Sequence, residues 1–179
     1  MIIALAGRRV DAADAKEARL PLENVEIVRQ RVRAMFESEA ATVMVSAAAC
    51  GADLIALSEA AELKMRRRIV LPSDRAHFRE TSVIDRPGDW GPVYDKVLDE
   101  VEAAGDLIVV PQKPDDEGYA AANVAILDNA LAMAKELHRS VKAALIWDGK
   151  SRGENDITKA FGTEARQRGL QVVEVSTIK

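Results

Sequence analysis

The chain has 179 residues, 48% of them hydrophobic and 30% charged, with a formal net charge of −4 at pH 7. These proportions are typical of a globular domain with a substantial core and exclude a disordered chain. The acidic balance argues against nucleic acid or a membrane surface as the main partner, because both are bound through a positive field.

Strand-like and helix-like segments alternate along the chain. Runs rich in Val, Ile, Leu and Ala predict strands over 2–6, 43–46, 69–71, 107–110, 142–147 and 171–175, with Pro111 ending the fourth strand. Apolar residues at helical spacing predict helices over 23–40, 53–64, 75–81, 92–104, 121–137 and 156–168. The basic run 64–68 is interpreted as the cationic end of the second helix.

Apolar strands that alternate with helices indicate a parallel sheet covered on both faces. We therefore predict an α/β fold, a doubly wound, mostly parallel Rossmann-like three-layer αβα sandwich, with residues 1–179 forming a single domain. No apolar run approaches the ~18 residues of a membrane span. The first residues do not resemble a signal peptide, and the single cysteine allows no internal disulfide. The expected location is the cytoplasm.

Ligands of such sheets bind beyond the C-terminal ends of the strands, so the loops there are the candidates. The first strand ends at Gly7, followed by Arg8 and Arg9. Guanidinium groups at this place can hold a phosphate or a carboxylate. The alternative is that one arginine pairs with Asp11 or Asp14 and that both are solvated.

The second loop is a turn of very small residues between a strand and a helix. Its predicted ligand-binding residues are Ser46, Ala47, Ala48, Gly51 and Ala52. Backbone N–H groups in such a turn, next to a helix N-terminus, can converge on a phosphate.

Two acids and a cysteine lie close to this turn. Asp53 either accepts a hydrogen bond from a ribose hydroxyl or caps the helix. Glu59 is a site candidate if it faces inward, and otherwise belongs to a solvated helix face. Cys50 is interpreted as a small packed residue rather than a nucleophile.

The third loop contains the predicted ligand-binding residues Trp147, Gly149, Gly153, Asp156 and Thr158. Asp156 or Thr158 either caps the following helix or contacts phosphate and ribose. Trp147 either stacks on a base or belongs to the core. No cluster has metal-ligand spacing, and there is no P-loop and no G-x-G-x-x-G fingerprint, so the sequence predicts neither a metal nor a cofactor.

The run from Ser46 to Asp53, a strand, a small-residue turn and Gly-x-Asp before a helix, resembles the SLOG superfamily. This superfamily includes the Rossmann domain of DNA-processing protein A and the LOG phosphoribohydrolases. The match extends through 49–83 and 147–158 and looks most like the SLOG-type domains found beside bacterial signalling modules. It implies a nucleotide-derivative pocket lined by residues 7–9, 46–53 and 149–158. The Pro-Gly-Gly-x-Gly-Thr-x-x-Glu run of the LOG enzymes is absent.

Three hypotheses follow. The first is a sensor that binds a nucleotide-derived small molecule. The second is an N-glycoside hydrolase, similar to a phosphoribohydrolase, with Glu59 or Asp53 as acid or nucleophile. The third is an oligomeric interaction scaffold with a vestigial site and an apolar interface on helix 121–137. A homo-oligomer is compatible with all three.

Overall fold

A computed structural model of the chain describes residues 1–110 and 116–179, without the side chains of residues 116 and 117. Pro111, which was predicted to end the fourth strand, lies outside the described residues. The strands are β1 Ile2–Gly7, β2 Val43–Ser46, β3 Arg66–Leu71, β4 Leu107–Val109, β5 Val141–Trp147 and β6 Val172–Ser176. The helices are α1 Val25–Ser38, α2 Ala52–Glu62, α3 Arg75–Ser82, α4 Trp90–Ala103, α5 Asp116–Leu137 and α6 Ile157–Gln167.

The six strands form one parallel sheet in the order β4-β3-β2-β1-β5-β6. The predicted α/β class and the Rossmann-like parallel sandwich are confirmed. Chain order runs outward from β1 in both directions, so the switch in strand order falls between β1 and β5. Gly7 at the end of β1 is in register with Ile146 of β5. A ligand is expected in the crevice beyond this pair.

The central strand β1 is buried on both faces, which explains its unbroken apolar sequence. Ile3 and Leu5 belong to the core under α1, α2 and α4, whereas Ile2 and Ala4 belong to the core under α5 and α6. Two hydrophobic cores thus lie on opposite sides of the sheet, as the two-residue period of a strand requires.

Helix α2 is buried on almost every side, because it lies between the sheet and the neighbouring helices α1 and α4. Its sequence is apolar nearly all round, which is typical of a buried helix rather than an amphipathic surface helix. This burial explains why Asp53, at the start of α2, lies inside the protein. Among the described residues, no helix has the length and apolar character needed to cross a membrane.

The prediction that the basic run 64–68 forms the cationic end of the second helix is wrong. Arg66 and Arg68 belong to β3, where both guanidinium groups bind the buried carboxylate of Asp106 at 2.7 Å, and Arg67 pairs with Glu100. The charges serve to attach the start of β3 to the segments before β4, and not to end α2.

Candidate ligand-binding site

A cavity of about 290 Å³ opens at the C-terminal edge of the sheet, beside the β1–β5 switch point. Its walls come from the end of β1, the turn between β2 and α2, helix α3, the first turns of α5, and the β5–α6 loop. The loops predicted from the sequence therefore meet at one place, since the C-terminal ends of parallel strands share an edge.

The cavity divides the predicted ligand-binding residues into two groups. Those that line it are Gly7, Arg8, Arg9, Ala47, Asp53, Asp156 and Thr158. Those that lie behind or beside its wall are Ser46, Ala48, Gly51, Ala52, Trp147, Gly149 and Gly153.

Asp53 is the most unusual residue of the cavity. Its Oδ2 accepts a hydrogen bond from the Ala49 N–H at 3.2 Å, while its Oδ1 has no hydrogen-bond partner among the described residues. The side chain does not cap α2, so the capping alternative is wrong. Burial raises the pKa of this carboxyl to about 7, although the Ala49 N–H and the charge of Arg9 both act to lower it.

Arg8 is buried, and most of its hydrogen-bond donors are bound by acceptors within the protein. Its Nη1 and Nη2 each donate to Asp156 at 2.8 Å, its Nε donates to Asp148 at 2.9 Å, and its Nη2 also donates to the Lys150 carbonyl. The guanidinium lies 5.4 Å from the centre of the Trp147 ring. Arg8 therefore fixes the β5–α6 loop against β1, and Trp147 packs on Arg8 rather than projecting into the cavity.

The ion pair with Arg8 also keeps Asp156 ionised. Burial alone would raise its pKa, but the hydrogen bonds from Arg8 and from the backbone of Arg152 and Lys159 lower it to about 2. Its acceptance of the Lys159 N–H at 3.1 Å caps α6, which confirms the capping alternative for this residue.

Arg9 reaches the opposite side of the cavity. Its Nη2 forms an ion pair with Asp85, and its Nε, although buried, has no hydrogen-bond partner among the described residues. Among the described residues, Arg8 and Arg9 form ion pairs with neither Asp11 nor Asp14, so this alternative from the sequence is wrong. Asp11 instead accepts from the backbone of Arg19 and Leu20.

Three backbone N–H groups of the small-residue turn already have hydrogen-bond partners within the protein. The Ala49 N–H binds Asp53, the Cys50 N–H binds the Ser82 carbonyl at 3.0 Å, and the Ala52 N–H binds the Arg8 carbonyl at 3.0 Å. These three amides are not available to a phosphate, which removes part of the predicted donor set. Cys50 is fully buried and burial raises the pKa of its thiol, as expected for a packed residue.

Position 51 of the turn requires glycine. It has φ +98° and forms an isolated antiparallel bridge with Arg9. A Cβ there would lie 2.7 Å from the Val10 nitrogen and 2.8 Å from the Arg8 oxygen. The close approach is thus to the protein's own backbone at 8–10, and not to a ligand.

Glu59 lies outside the cavity lining. Its side chain is buried between α1 and α2, where it accepts from Arg29 at 2.8 Å and from Arg33 at 2.7 Å. It neither faces the cavity nor belongs to a solvated face, so this position removes Glu59 from the candidates for chemistry at the site.

Polar residues that sequence reasoning missed complete the walls. Ser82 and Tyr119 are joined by a 2.9 Å hydrogen bond between hydroxyls, and Asn123 donates to the Ile157 carbonyl at 3.0 Å. Tyr119 and Asn123 are four residues apart at the start of a helix that follows a strand. Their i, i+4 spacing could have predicted that they share a face toward the same sheet edge.

Arg152 lies within the expected lining 149–158, although the sequence did not single it out as a ligand-binding residue. Its exposed side chain lines the cavity and has no ion-pair partner among the described residues. Partial loss of water and then the positive charge of Arg8 lower its pKa from the ordinary value. Arg152 therefore supplies a positive charge that forms no ion pair within the described part of the chain. No group of three or more His, Cys, Asp or Glu side chains among the described residues is arranged to hold a metal ion.

No protein-family model matches the chain, and no curated protein does so either. Among solved structures, the chain is similar to DNA processing protein A (DprA) from Streptococcus pneumoniae, with 15% sequence identity and a TM-score of 0.44. The match covers 97% of this chain and 58% of that protein, so the chain spans less than two thirds of its length.

Proposed function

We propose that this protein binds a small nucleotide-derived ligand in the cavity beside the β1–β5 switch point and that it acts as a sensor. The observation that carries the proposal is the buried, unpartnered Oδ1 of Asp53 in the cavity wall. A buried polar atom without a partner is unfavourable, and a ligand that supplies the missing hydrogen bond removes that cost.

The size and lining of the cavity support this class of ligand. Its volume of about 290 Å³ is at the lower end of small-molecule pockets, which suits one nucleoside or nucleotide rather than a dinucleotide. Leu5, Phe78 and Ile126 provide apolar walls for a planar base, while Asn155 and Thr158 add polar groups.

The charged residues of the cavity indicate how a nucleotide would be oriented in it. A phosphate is repelled by the carboxylate of Asp53 and attracted by Arg152, the cation at the cavity wall that has no carboxylate partner among the described residues. We therefore assign phosphate to the Arg152 side and the base or ribose to Asp53. Arg8, which the sequence suggested as a phosphate-binding residue, is not assigned to the phosphate, because its donors are bound by Asp148 and Asp156.

Binding without catalysis is favoured by the state of the carboxylates. Asp156 is held ionised and hydrogen-bonded by Arg8, and Glu59 is remote, so Asp53 has no second free carboxylate in the described lining to work with. Membership of the SLOG superfamily, in its bacterial signalling branch, is part of this proposal.

A second candidate is hydrolysis of an N-glycosidic bond. It is favoured by one observation, the pKa of about 7 for Asp53, which lets this residue hold a proton at neutral pH as a general acid must. Release of a free base from a bound nucleotide, measured by chromatography and lost in Asp53→Asn, would support it.

The scaffold hypothesis has less support. The apolar side chains of α5, among them Ile126, Leu127 and Met133, are buried against the sheet, although Val124 is exposed. Among the described side chains of this helix, little apolar surface besides Val124 is left for a partner or a second copy of the chain.

The test is a thermal-shift panel of nucleosides and of mono-, di-, tri- and cyclic nucleotides. The blocking variant is Ala122→Leu, since Ala122 is buried and lines the cavity; the control is Ala120→Leu, an exposed position on the same helix. A ligand at ~100 times its Kd contributes about 2.7 kcal/mol, which raises Tm by roughly 5–10 °C for a protein of this size.

We expect this shift in the parent and in Ala120→Leu, and its loss in Ala122→Leu. Gly51→Val is unsuitable as a blocking variant, because the added side chain would collide with residues 8–10 rather than with a ligand. A flat panel, or a shift that Ala122→Leu retains, would contradict the proposal.

A further inference from the structure

We propose that Asp53 determines which ligands the cavity accepts, by receiving an N–H or O–H donor on its free Oδ1, and that binding expels a proton from this carboxyl to solvent. The inference rests on the proposed function, because it concerns the same cavity. It adds a chemical requirement for the ligand and a dependence of affinity on pH.

The geometry supplies the first step. The carboxyl group is held from one side only, by the Ala49 N–H on Oδ2. The other oxygen, Oδ1, is itself buried and has no hydrogen-bond partner among the described residues, and Asp53 is one of the residues that line the cavity. A ligand atom that fills the cavity therefore replaces the water that folding removed from Oδ1.

The groups around Asp53 favour a hydrogen-bond donor on the ligand over an acceptor. The Ala49 N–H and the positive charge of Arg9 both favour the ionised carboxylate, and only the loss of water opposes it. A donor on Oδ1 completes the hydrogen bonding of that ionised form. A hydrogen-bond acceptor on the ligand would instead need Asp53 to stay protonated, a form that both the Ala49 N–H and the charge of Arg9 disfavour.

The other charged groups of the lining do not supply this proton. On the β1 loop, Arg8 and Arg9 are paired with carboxylates, and on the α6 side Asp156 is held ionised by Arg8. Arg152 is a cation, and the Tyr119 hydroxyl is bonded to Ser82. Cys50 lies in the same turn as Ala49, and burial raises the pKa of its thiol. Asp53 is therefore the group that changes charge near neutral pH.

The sign of the effect follows from linkage. Below about pH 7 the free protein holds a proton on Asp53, and the ligand must displace it, so affinity increases with pH. From this carboxyl alone, Kd is expected to fall by close to tenfold per pH unit between pH 5 and pH 6.5. Above about pH 7.5 the carboxylate is already ionised and the affinity becomes constant.

Calorimetric titration tests the proposal with adenosine and guanosine 5′-monophosphates and their 2′-deoxy forms as probes. Titrations run from pH 5 to 8, and at pH 6 they are repeated in two buffers of different ionisation enthalpy to count protons. The phosphate of these probes itself titrates near pH 6, so the proton of Asp53 is counted as the difference between the unaltered protein and Asp53→Asn. We expect this difference to be close to one proton at pH 6. Weaker binding of both 2′-deoxy forms places the donor on the ribose, and preference for one base regardless of the sugar places it on the base.

The matched variants are Asp53→Asn, which keeps shape but cannot ionise, and Glu154→Gln, an exposed acid of the β5–α6 loop outside the cavity lining. The part of the pH dependence that exceeds the titration of the phosphate should disappear in Asp53→Asn and remain in Glu154→Gln. A carboxyl-carbon NMR titration of Asp53 in the unaltered protein, with and without the monophosphate, gives the same answer if the asparagine variant folds poorly.

Nucleotide binding with a pH-independent Kd, or with the same pH dependence in Asp53→Asn, would overturn this inference and leave the proposed function intact. Absence of binding by all probes at every pH would overturn the proposed function and this inference together.

Discussion

Arg8 and Asp156 are 148 residues apart in sequence and face each other through two parallel hydrogen bonds of 2.8 Å. One follows the central strand β1 and the other begins helix α6, so the pair spans the switch in strand order. Both side chains are about 1% exposed. The crevice in which a ligand is expected is therefore braced by a bidentate ion pair inside the protein.

Removal of Arg8 should destabilise the protein strongly. Arg8→Ala leaves Asp148 and Asp156 buried without their main partner, and breaking one side of a buried pair typically costs about 3–5 kcal/mol. The control is Arg166→Ala, which breaks an exposed pair with Glu174 and should cost less than about 1 kcal/mol. Urea unfolding measures both, and equal losses would contradict a structural role for Arg8.

The stability of the ligand-free protein should decrease as pH rises toward 7. The folded-state pKa of Asp53 is raised to about 7 from an ordinary value near 4, so between these values the folded state binds more protons than the unfolded state. The free energy of unfolding then falls by up to about 1.4 kcal/mol per pH unit, and the slope vanishes above pH 7. Urea titrations at pH 5, 6, 7 and 8 should show this slope, and Asp53→Asn should flatten it.

The two glycines Gly51 and Gly149 should differ sharply in their tolerance of alanine. Both have positive φ, +98° and +75°, but a Cβ on Gly149 meets nothing within 4 Å, whereas one on Gly51 meets backbone at 2.7 Å. Gly149→Ala should cost about 1 kcal/mol from backbone strain alone. Gly51→Ala should cost at least about 2 kcal/mol more, and a similar Tm for both variants would show that residues 8–10 move aside easily.

Neutralising Arg152 should weaken binding of phosphorylated ligands without changing stability. Its side chain is exposed and has no ion-pair partner in the described part of the chain, so Arg152→Gln leaves no buried charge behind. A charged hydrogen bond to phosphate is worth about 1.5–3 kcal/mol, so Kd should rise at least tenfold for nucleoside monophosphates and stay constant for nucleosides. Lys150→Gln, a change of the same charge on the same loop, should have a smaller effect. Equal losses for nucleosides and monophosphates would contradict the assignment of phosphate to Arg152.

Most of the fold could be predicted because it depends on local patterns. The buried run of β1 and the small-residue turn before α2 each carry their signal within a few residues. The start of β3 was missed because Arg66 and Arg68 are charged, and their reason for lying in a strand is Asp106, which comes 38 to 40 residues later. That partner cannot be read from the strand itself.

The site was predicted in its location and less well in its chemistry. Parallel topology brings the loops after β1, β2 and β5 together, so Asp53 and Asp156 were found. Whether a group is free depends on distant partners: Arg8 is occupied by Asp156, and the Cys50 amide by the Ser82 carbonyl. Residues without such partners, Arg152 above all, carry no distinctive local motif.

The bridge between Gly51 and Arg9 also limits how this site can be altered or inherited. Because backbone from 8–10 fills the space above Gly51, the small-residue turn and the β1 loop form one interlocked unit. A designer who grafts residues 46–53 alone onto another Rossmann-like sheet would leave that space empty and the Ala52 amide unsatisfied. The smallest portable piece contains both segments, and in divergent descendants the two should change in concert.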